Sequence, residues 1–111
     1  MKISHQDYET VSVLTISGDF IHDDVEHFKR VASERRAAGI KHVLINCESL
    51  EFIDSAGLEC WLRLQESLGE AGGQMRLLRP DQLLAKILAL TRLDLAFEAH
   101  PNIESAIRSL R

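Results

Sequence analysis

The residues best placed to do chemistry form the run Phe52-Ile53-Asp54-Ser55-Ala56-Gly57-Leu58. A hydrophobic segment typical of a strand precedes this run, and one typical of a helix follows it. A serine hydroxyl at such a junction lies at the positive end of a helix, where it can cap the helix, act as a nucleophile or carry a regulatory group. Other features of the sequence are needed to choose among these roles.

Helix capping is the plainest role for this run. Aspartate and serine are favoured N-caps, worth about 1 kcal/mol over alanine. Gly57, however, falls in the first helical turn, where glycine costs roughly 0.5–1 kcal/mol relative to alanine and a cap does not need it. We interpret Gly57 as leaving the backbone open to another protein, or to a bulky group on Ser55. The apolar pair Phe52 and Ile53 is expected to anchor the turn and hold Ser55 in place.

Enzymatic alternatives find less support in the sequence. A nucleophilic serine needs a base within hydrogen-bond reach and an oxyanion site. The chain has no Gly-x-Ser-x-Gly elbow, and only one of its histidines, His100, follows Ser55. No histidine, cysteine or acidic residues have a recognised metal-ligand spacing. We therefore expect no enzyme activity, no metal and no cofactor.

A receiver domain with Asp54 as its phosphoacceptor is another alternative. Asp54 follows a strand, and the chain length suits such a domain. A receiver, however, is typified by an acidic pair after its first strand and a lysine after its last. Here the first strand leads to Glu9-Thr10, and the acidic pair Asp23-Asp24 begins the first helix instead. The pattern does not favour a receiver.

Size and composition indicate one globular domain spanning residues 1–111, with 45% hydrophobic and 27% charged residues. A formal net charge of -4, with arginines spread over several segments, argues against a nucleic-acid surface. No signal peptide is visible, and no segment approaches the roughly 20 apolar residues that cross a bilayer. Cys47 and Cys60 lack the spacing of a zinc or redox site. We expect a cytoplasmic protein with two free thiols and no direct membrane insertion.

Hydrophobic periodicity predicts the order β-β-α-β-α-β-α-β-α. Helical crossovers between strands imply mostly parallel pairing, and the opening hairpin makes the sheet mixed. Residues 48–55 are expected to form a loop at the carboxyl ends of the strands, where functional residues tend to lie. The predicted strands span residues 2–8, 11–17, 43–47, 75–78 and 96–99. The predicted helices run from Asp23-Asp24 to Arg35-Arg36, from Ser55 to near Gly69 or Gly72-Gly73, over 81–91, and from a cap at Asn102.

Nearly the whole chain resembles the STAS domain, the fold of bacterial anti-sigma-factor antagonists. Three segments carry the resemblance: Ser17-Gly18-Asp19-Phe20, the Phe52–Leu58 run, and Leu90-Thr91-Arg92-Leu93-Asp94. The chain departs from the family pattern at Arg92, where glycine is usual. The resemblance implies an α/β fold with a mixed four- to five-stranded sheet flanked by four to five helices, and no catalytic activity.

The resemblance also implies a mechanism. In that family the serine matching Ser55 is phosphorylated by a serine kinase that is also the anti-sigma factor, and a PP2C-type phosphatase removes the phosphate. Unphosphorylated antagonist binds the kinase and frees the sigma factor. The partner is then expected to contact Asp54, Ser55, Ala56 and Gly57. The first-helix face with Asp23 and Asp24 is either a further contact or simply solvated.

Another role found in the family is that of a cytoplasmic STAS subunit that docks on the ATPase of a membrane transporter. No feature of the sequence excludes it. A scaffold component of a large signalling assembly is also open. Trp61, spaced helically with Leu58 and Leu68, is predicted to lie in the core, although a tryptophan can also anchor a partner.

Overall fold

A mixed sheet of six strands forms the centre of the molecule. The computed structural model describes residues 1–111. The strands are β1 (Lys2–Tyr8), β2 (Val11–Phe20), β3 (His42–Asn46), β4 (Leu50–Ile53), β5 (Met75–Leu78) and β6 (Ala99–His100). The helices are α1 (Val25–Ala37), α2 (Ser55–Glu70), α3 (Gln82–Leu90) and α4 (Ile103–Arg108), and a short 3-10 turn, His22–Asp24, leads into α1.

The sheet has the strand order β1-β2-β3-β5-β6. The hairpin of β1 and β2 is antiparallel, whereas β2 with β3, β3 with β5 and β5 with β6 are parallel. The predicted mixed sheet with an opening hairpin is therefore confirmed. An antiparallel first pair also differs from the all-parallel, doubly wound sheet of a receiver.

Alternating side chains give the sheet two apolar faces. Val43 and Ile45 of β3 belong to a core of 21 buried residues, which α1, α2 and α3 share. Leu44, between them, belongs to a second cluster on the opposite face, which Ala106 of α4 covers. The central strand β3 thus reads as apolar from Val43 to Ile45, because helices cover both faces. None of the helices combines the length and apolar character that a membrane span requires.

Strand β4 lies within the segment that the sequence predicts to be a loop. It pairs in parallel with the last part of β2, next to a register shift at Gly18/Asp19. The β4 segment was missed because its burial does not alternate: Leu50 and Ile53 are buried, and the two residues between them are exposed. The long β2 thus pairs first with β3 and then with β4, which places the end of β4 directly before α2.

The other predicted elements are confirmed with small shifts in their ends. The Asp23-Asp24 pair forms the 3-10 turn before α1 rather than its first turn. Strand β6 begins at Ala99 and not at Ala96. Arg92 has φ of 60°, a left-handed conformation, which explains why the family pattern favours glycine there.

The side chain of Trp61 is fully buried, as the sequence predicts, and it belongs to an aromatic cluster in the larger core. Its ring centroid lies 6.1 Å from that of Phe20 and 6.0 Å from that of Phe97. Phe20 in turn packs 5.0 Å from Phe28 of α1. This cluster joins the end of β2 to α1 and to α2, the helix that begins at Ser55.

A buried histidine gives the fold a dependence on pH. The Nδ1 atom of His42 accepts a hydrogen bond of 3.0 Å from the backbone N–H of Gln74. Burial, together with the nearby charges of Lys41 and Arg76, holds the pKa of His42 below its ordinary value of 6.5. Only the neutral ring can accept this bond, so protonation opposes folding.

We expect the free energy of unfolding to fall as the pH drops below about 6.5, because the unfolded chain then binds a proton that folded His42 resists. The His42→Gln variant should lose less stability than the wild-type protein between pH 6.5 and 5. Urea unfolding at several pH values measures this. The His22→Gln variant is the control, since the His22 side chain is 85% exposed, and an equal effect of both substitutions would contradict the assignment.

Candidate functional site

Ser55 is the first residue of α2, and it is exposed at the end of β4. Asp54 and not Ser55 is the N-cap of the helix: Asp54 has an extended backbone, and its side chain accepts a hydrogen bond from the N–H of Gly57. The Ser55 hydroxyl makes no hydrogen bond to the rest of the chain. The capping role is therefore filled by a neighbour, which leaves the serine hydroxyl accessible to a second molecule.

The carboxylate of Asp54 joins two elements. Its Oδ1 atom accepts from the N–H of Gly57 at 2.9 Å, and its Oδ2 atom accepts from the N–H of His22 at 2.9 Å. The backbone N–H of Asp54 also donates to the carbonyl of Phe20 at 3.2 Å. Since both carboxylate oxygens hold backbone N–H groups, the structure gives Asp54 a positioning role and not that of a phosphoacceptor.

The two residues of the Asp23-Asp24 pair differ in their surroundings. The Asp23 side chain is 88% exposed, next to His22, which Asp54 holds against the start of α2. The Asp24 side chain is 22% exposed; it accepts from the N–H of Ile21 at 3.1 Å and lies 3.6 Å from the N-terminal ammonium. Of the pair, Asp23 is the one free to meet a partner.

Gly57 is buried, so the interpretation of this glycine as an open stretch of backbone is wrong. A Cβ atom at this position would lie 2.7 Å from Cγ1 of Ile53 and 2.9 Å from the carbonyl oxygen of Phe20. Such distances are far below van der Waals contact. Glycine is therefore needed because the first turn of α2 packs directly against the ends of β2 and β4, and this close packing fixes the position of Ser55.

Phe52 and Ile53 differ in their burial. Ile53 is buried in the larger core and anchors the turn, as the sequence predicts. Phe52 is 45% exposed, so the prediction that both residues anchor the turn is wrong for this one. The phenyl ring lines a small cavity with Leu83 and Ile87, so its inner side lies against α3. Such rings are frequent in protein interfaces.

Removal of the Asp54 carboxylate should destabilise the protein more than removal of an ordinary cap. We expect Asp54→Ala to lower the free energy of unfolding by about 2 kcal/mol, because the cap and the bond to His22 are both lost. The control is Asp81→Ala, since Asp81 caps α3 through one bond of 2.8 Å to the N–H of Leu84 and should cost about 1 kcal/mol. Equal losses in chemical denaturation would contradict the joining role.

The structure also joins a serine, a histidine and a carboxylate away from Ser55. His100 Nδ1 lies 2.7 Å from the Ser105 hydroxyl, and His100 Nε2 lies 2.8 Å from Glu98. Glu98 is also paired with Arg76 of β5 at 3.2 Å. We interpret this chain of bonds as a link that holds β6 and α4 to the sheet.

The two thiols are free, as the sequence predicts, and both are buried. Burial raises the pKa of Cys47 to about 12 and that of Cys60 to about 11. Neither thiol is therefore poised for nucleophilic chemistry at neutral pH.

Three features of the site were missed in the sequence: strand β4, the exposure of Phe52, and the contact between His22 and Asp54. Aspartate is a favoured N-cap, and its side chain bonds the N–H two or three residues later. This preference could have identified Asp54 as the N-cap from the sequence. The contact with His22 joins residues that are 32 positions apart. No local pattern could have indicated it.

Comparison with known proteins identifies the fold. The family model of the STAS domain matches residues 2–106, so the chain belongs to the STAS domain family. The recognition made from the three sequence segments is thereby confirmed.

Several solved structures are similar to this chain. The crystal structure of TM1081 from Thermotoga maritima superposes with a TM-score of 0.86 at 20% identity, covering 96% of this chain and 92% of that one. The unphosphorylated anti-sigma factor antagonist SpoIIAA gives 0.81 at 22% identity, with coverage of 96% and 93%. The murine anion transporter Slc26a9 gives 0.73 at 14% identity, with 92% of this chain covering 18% of that one. At these identities the likeness shows the fold alone.

Proposed function

We propose that this protein is a non-enzymatic binding protein, an anti-sigma factor antagonist that is switched by reversible phosphorylation of Ser55. Its partners in this proposal are a serine kinase that acts as the anti-sigma factor and a PP2C-type phosphatase. The observation that carries the proposal is the exposed, unbonded Ser55 hydroxyl on a rigid helix start. Family membership and the likeness to SpoIIAA, which has also been solved in a phosphorylated form with a TM-score of 0.74, support it.

The position of Ser55 suits a switch that leaves the fold intact. A phosphate adds about -1.5 to -2 charge at pH 7. At the first residue of α2 this charge meets the positive end of the helix dipole and N–H groups that have no partner within the helix, so the fold tolerates it. Inside a partner interface the same charge must lose its water, and that loss opposes binding.

The surface around Ser55 suits a protein partner. Phe52, three residues before Ser55 in the sequence, supplies an exposed aromatic ring, and Ala56 gives a small side chain that allows close approach. Asp23 supplies an exposed carboxylate on the turn that Asp54 holds in place. We propose that the partner covers these residues together with Ser55, whereas Asp54, Asp24 and Gly57 keep the surface in shape.

Capture of partners from native lysate tests the proposal. The baits are the wild-type protein, Ser55→Ala, Ser55→Asp and the control Ser4→Asp, which adds the same charge at an exposed position of β1. We expect a kinase to be captured by all baits except Ser55→Asp. Capture of the same kinase by Ser55→Asp at wild-type level would contradict a Ser55 switch.

The second candidate is a cytoplasmic STAS subunit that docks on the ATPase of a membrane transporter. The fold likeness to a domain of Slc26a9 favours it, since that match shows the same fold within a membrane transporter. This role predicts that all four baits capture a transporter ATPase equally.

A further inference from the structure

A groove of about 450 Å³ runs between α1 and α2 and reaches the start of α2. We call it the α1–α2 groove. Its apolar lining consists of Val25, Phe28, Ala32, Ala56, Cys60 and Leu64. Ligand pockets of globular proteins span roughly 300–1,000 Å³ and are mostly apolar, with a few polar groups that orient the ligand. The α1–α2 groove therefore has the volume and the lining of a small-molecule site.

The charged groups along this groove are mostly basic. Lys29, Arg36 and Arg63 line it, against a single carboxylate, that of Glu59. This excess of positive charge occurs in a chain whose formal net charge is -4. A groove lined by one sign of charge attracts molecules of the opposite sign.

The three cations differ in how far they are already neutralised. Arg63 pairs with Glu59 at 2.7 Å, and Lys29 lies 3.7 Å from Glu26 with both side chains mostly exposed. Arg36 has no carboxylate within 4.0 Å; its guanidinium donates to the hydroxyl and the carbonyl of Ser67. Arg36 and Lys29 are therefore the cations that can meet an added anion.

The shape of the groove indicates what such an anion should look like. Val25 and Arg36 line the groove at opposite ends of α1, and eleven helical residues span about 16 Å. An aliphatic chain of medium length can lie along the apolar lining while an acidic head group meets the cations. A phosphorylated sugar would leave the apolar lining without a matching surface.

We propose that the α1–α2 groove binds a free medium-chain carboxylate, with its chain on the apolar lining and its carboxylate at Lys29 and Arg36. The proposal does not depend on phosphorylation of Ser55. It assigns a second binding site, which adjoins the Ser55 surface at Ala56 and at His22, the neighbour of Asp23.

Equilibrium dialysis with labelled decanoate, kept below its micelle concentration, tests this proposal. We expect saturable binding to the full-length protein at a dissociation constant below about 1 mM, a weak value on the usual scale. The Lys29→Glu variant should bind roughly fivefold or more weakly, since one attractive charge becomes repulsive. Its matched control is Arg30→Glu, which makes the same charge change on the next exposed residue of α1, outside the groove. Circular dichroism confirms that both variants are folded.

Each outcome has a defined meaning. Weaker binding by Lys29→Glu with unchanged binding by Arg30→Glu supports the site, as does a further loss in Arg36→Gln. Equal weakening by Lys29→Glu and Arg30→Glu would show an effect of net charge and overturn it. Decanol that binds as tightly as decanoate would overturn the role of the anion, and an absence of saturable binding would overturn the whole proposal.

Discussion

Replacement of Gly57 by alanine is expected to lower the free energy of unfolding by about 2–3 kcal/mol, although alanine is the better helix former. The added methyl group would lie 2.7 Å from the side chain of Ile53 and 2.9 Å from the backbone carbonyl of Phe20. Ile53 is buried, and the backbone of β2 is held in the sheet, so neither can move away without disturbing other contacts. Chemical denaturation of the purified variant measures the loss.

The chain offers a matched control on the same helix. Gly69 also lies in α2, and a Cβ atom there would have no neighbour within 4 Å. Gly69→Ala should therefore stabilise the protein by roughly 0.5–1 kcal/mol, because alanine loses less backbone freedom. If Gly57→Ala stabilised the protein as Gly69→Ala should, α2 would not pack against β2 and β4 as described.

Ser55→Asp is expected to keep the fold and to lose the kinase partner. A negative charge at the first residue of a helix contributes about 0.3–1 kcal/mol, so this variant should unfold at the same denaturant concentration as Ser55→Ala or a higher one. Affinity for the captured kinase should fall by roughly a hundredfold, since a buried, unpaired charge costs about 3 kcal/mol or more.

Isothermal titration of the captured kinase with each variant checks the loss of affinity. The Ser4→Asp variant should bind like the wild-type protein, because its added charge lies on β1. A Ser55→Asp variant that fails to fold would contradict the expected tolerance of α2 for charge at its start. Equal affinities of Ser55→Asp and Ser55→Ala would contradict the switch.

Local patterns predicted most of the fold. The strand at β5, the end of α1 and the cap at Asn102 were recognisable because turn residues, periodicity and side-chain type agree there. Trp61 was recognised as a core residue from its helical spacing with Leu58 and Leu68. Strand β4 was not predicted, since its four residues have neither the alternation nor the length that distinguishes a strand from a loop.

The candidate site was predicted only in part, because some of its contacts join residues that are distant in the sequence. The chemistry of Asp54 and Ser55 is local, so the sequence could indicate it. The need for glycine at position 57 depends on the carbonyl of Phe20, and the position of Asp23 depends on the bond between His22 and Asp54. These contacts join distant parts of the chain. The α1–α2 groove was not predicted either, because it exists only between two packed helices.

Localisation of the phosphate tests the central claim most directly. The purified protein is incubated with the captured kinase and ATP, and the modified residue is identified by peptide mass spectrometry. Our account predicts a single phosphate on Ser55, no phosphate in the Ser55→Ala variant, and loss of kinase binding in the phosphorylated protein. A phosphate on another residue, or a protein phosphorylated on Ser55 that binds the kinase as tightly as before, would contradict it.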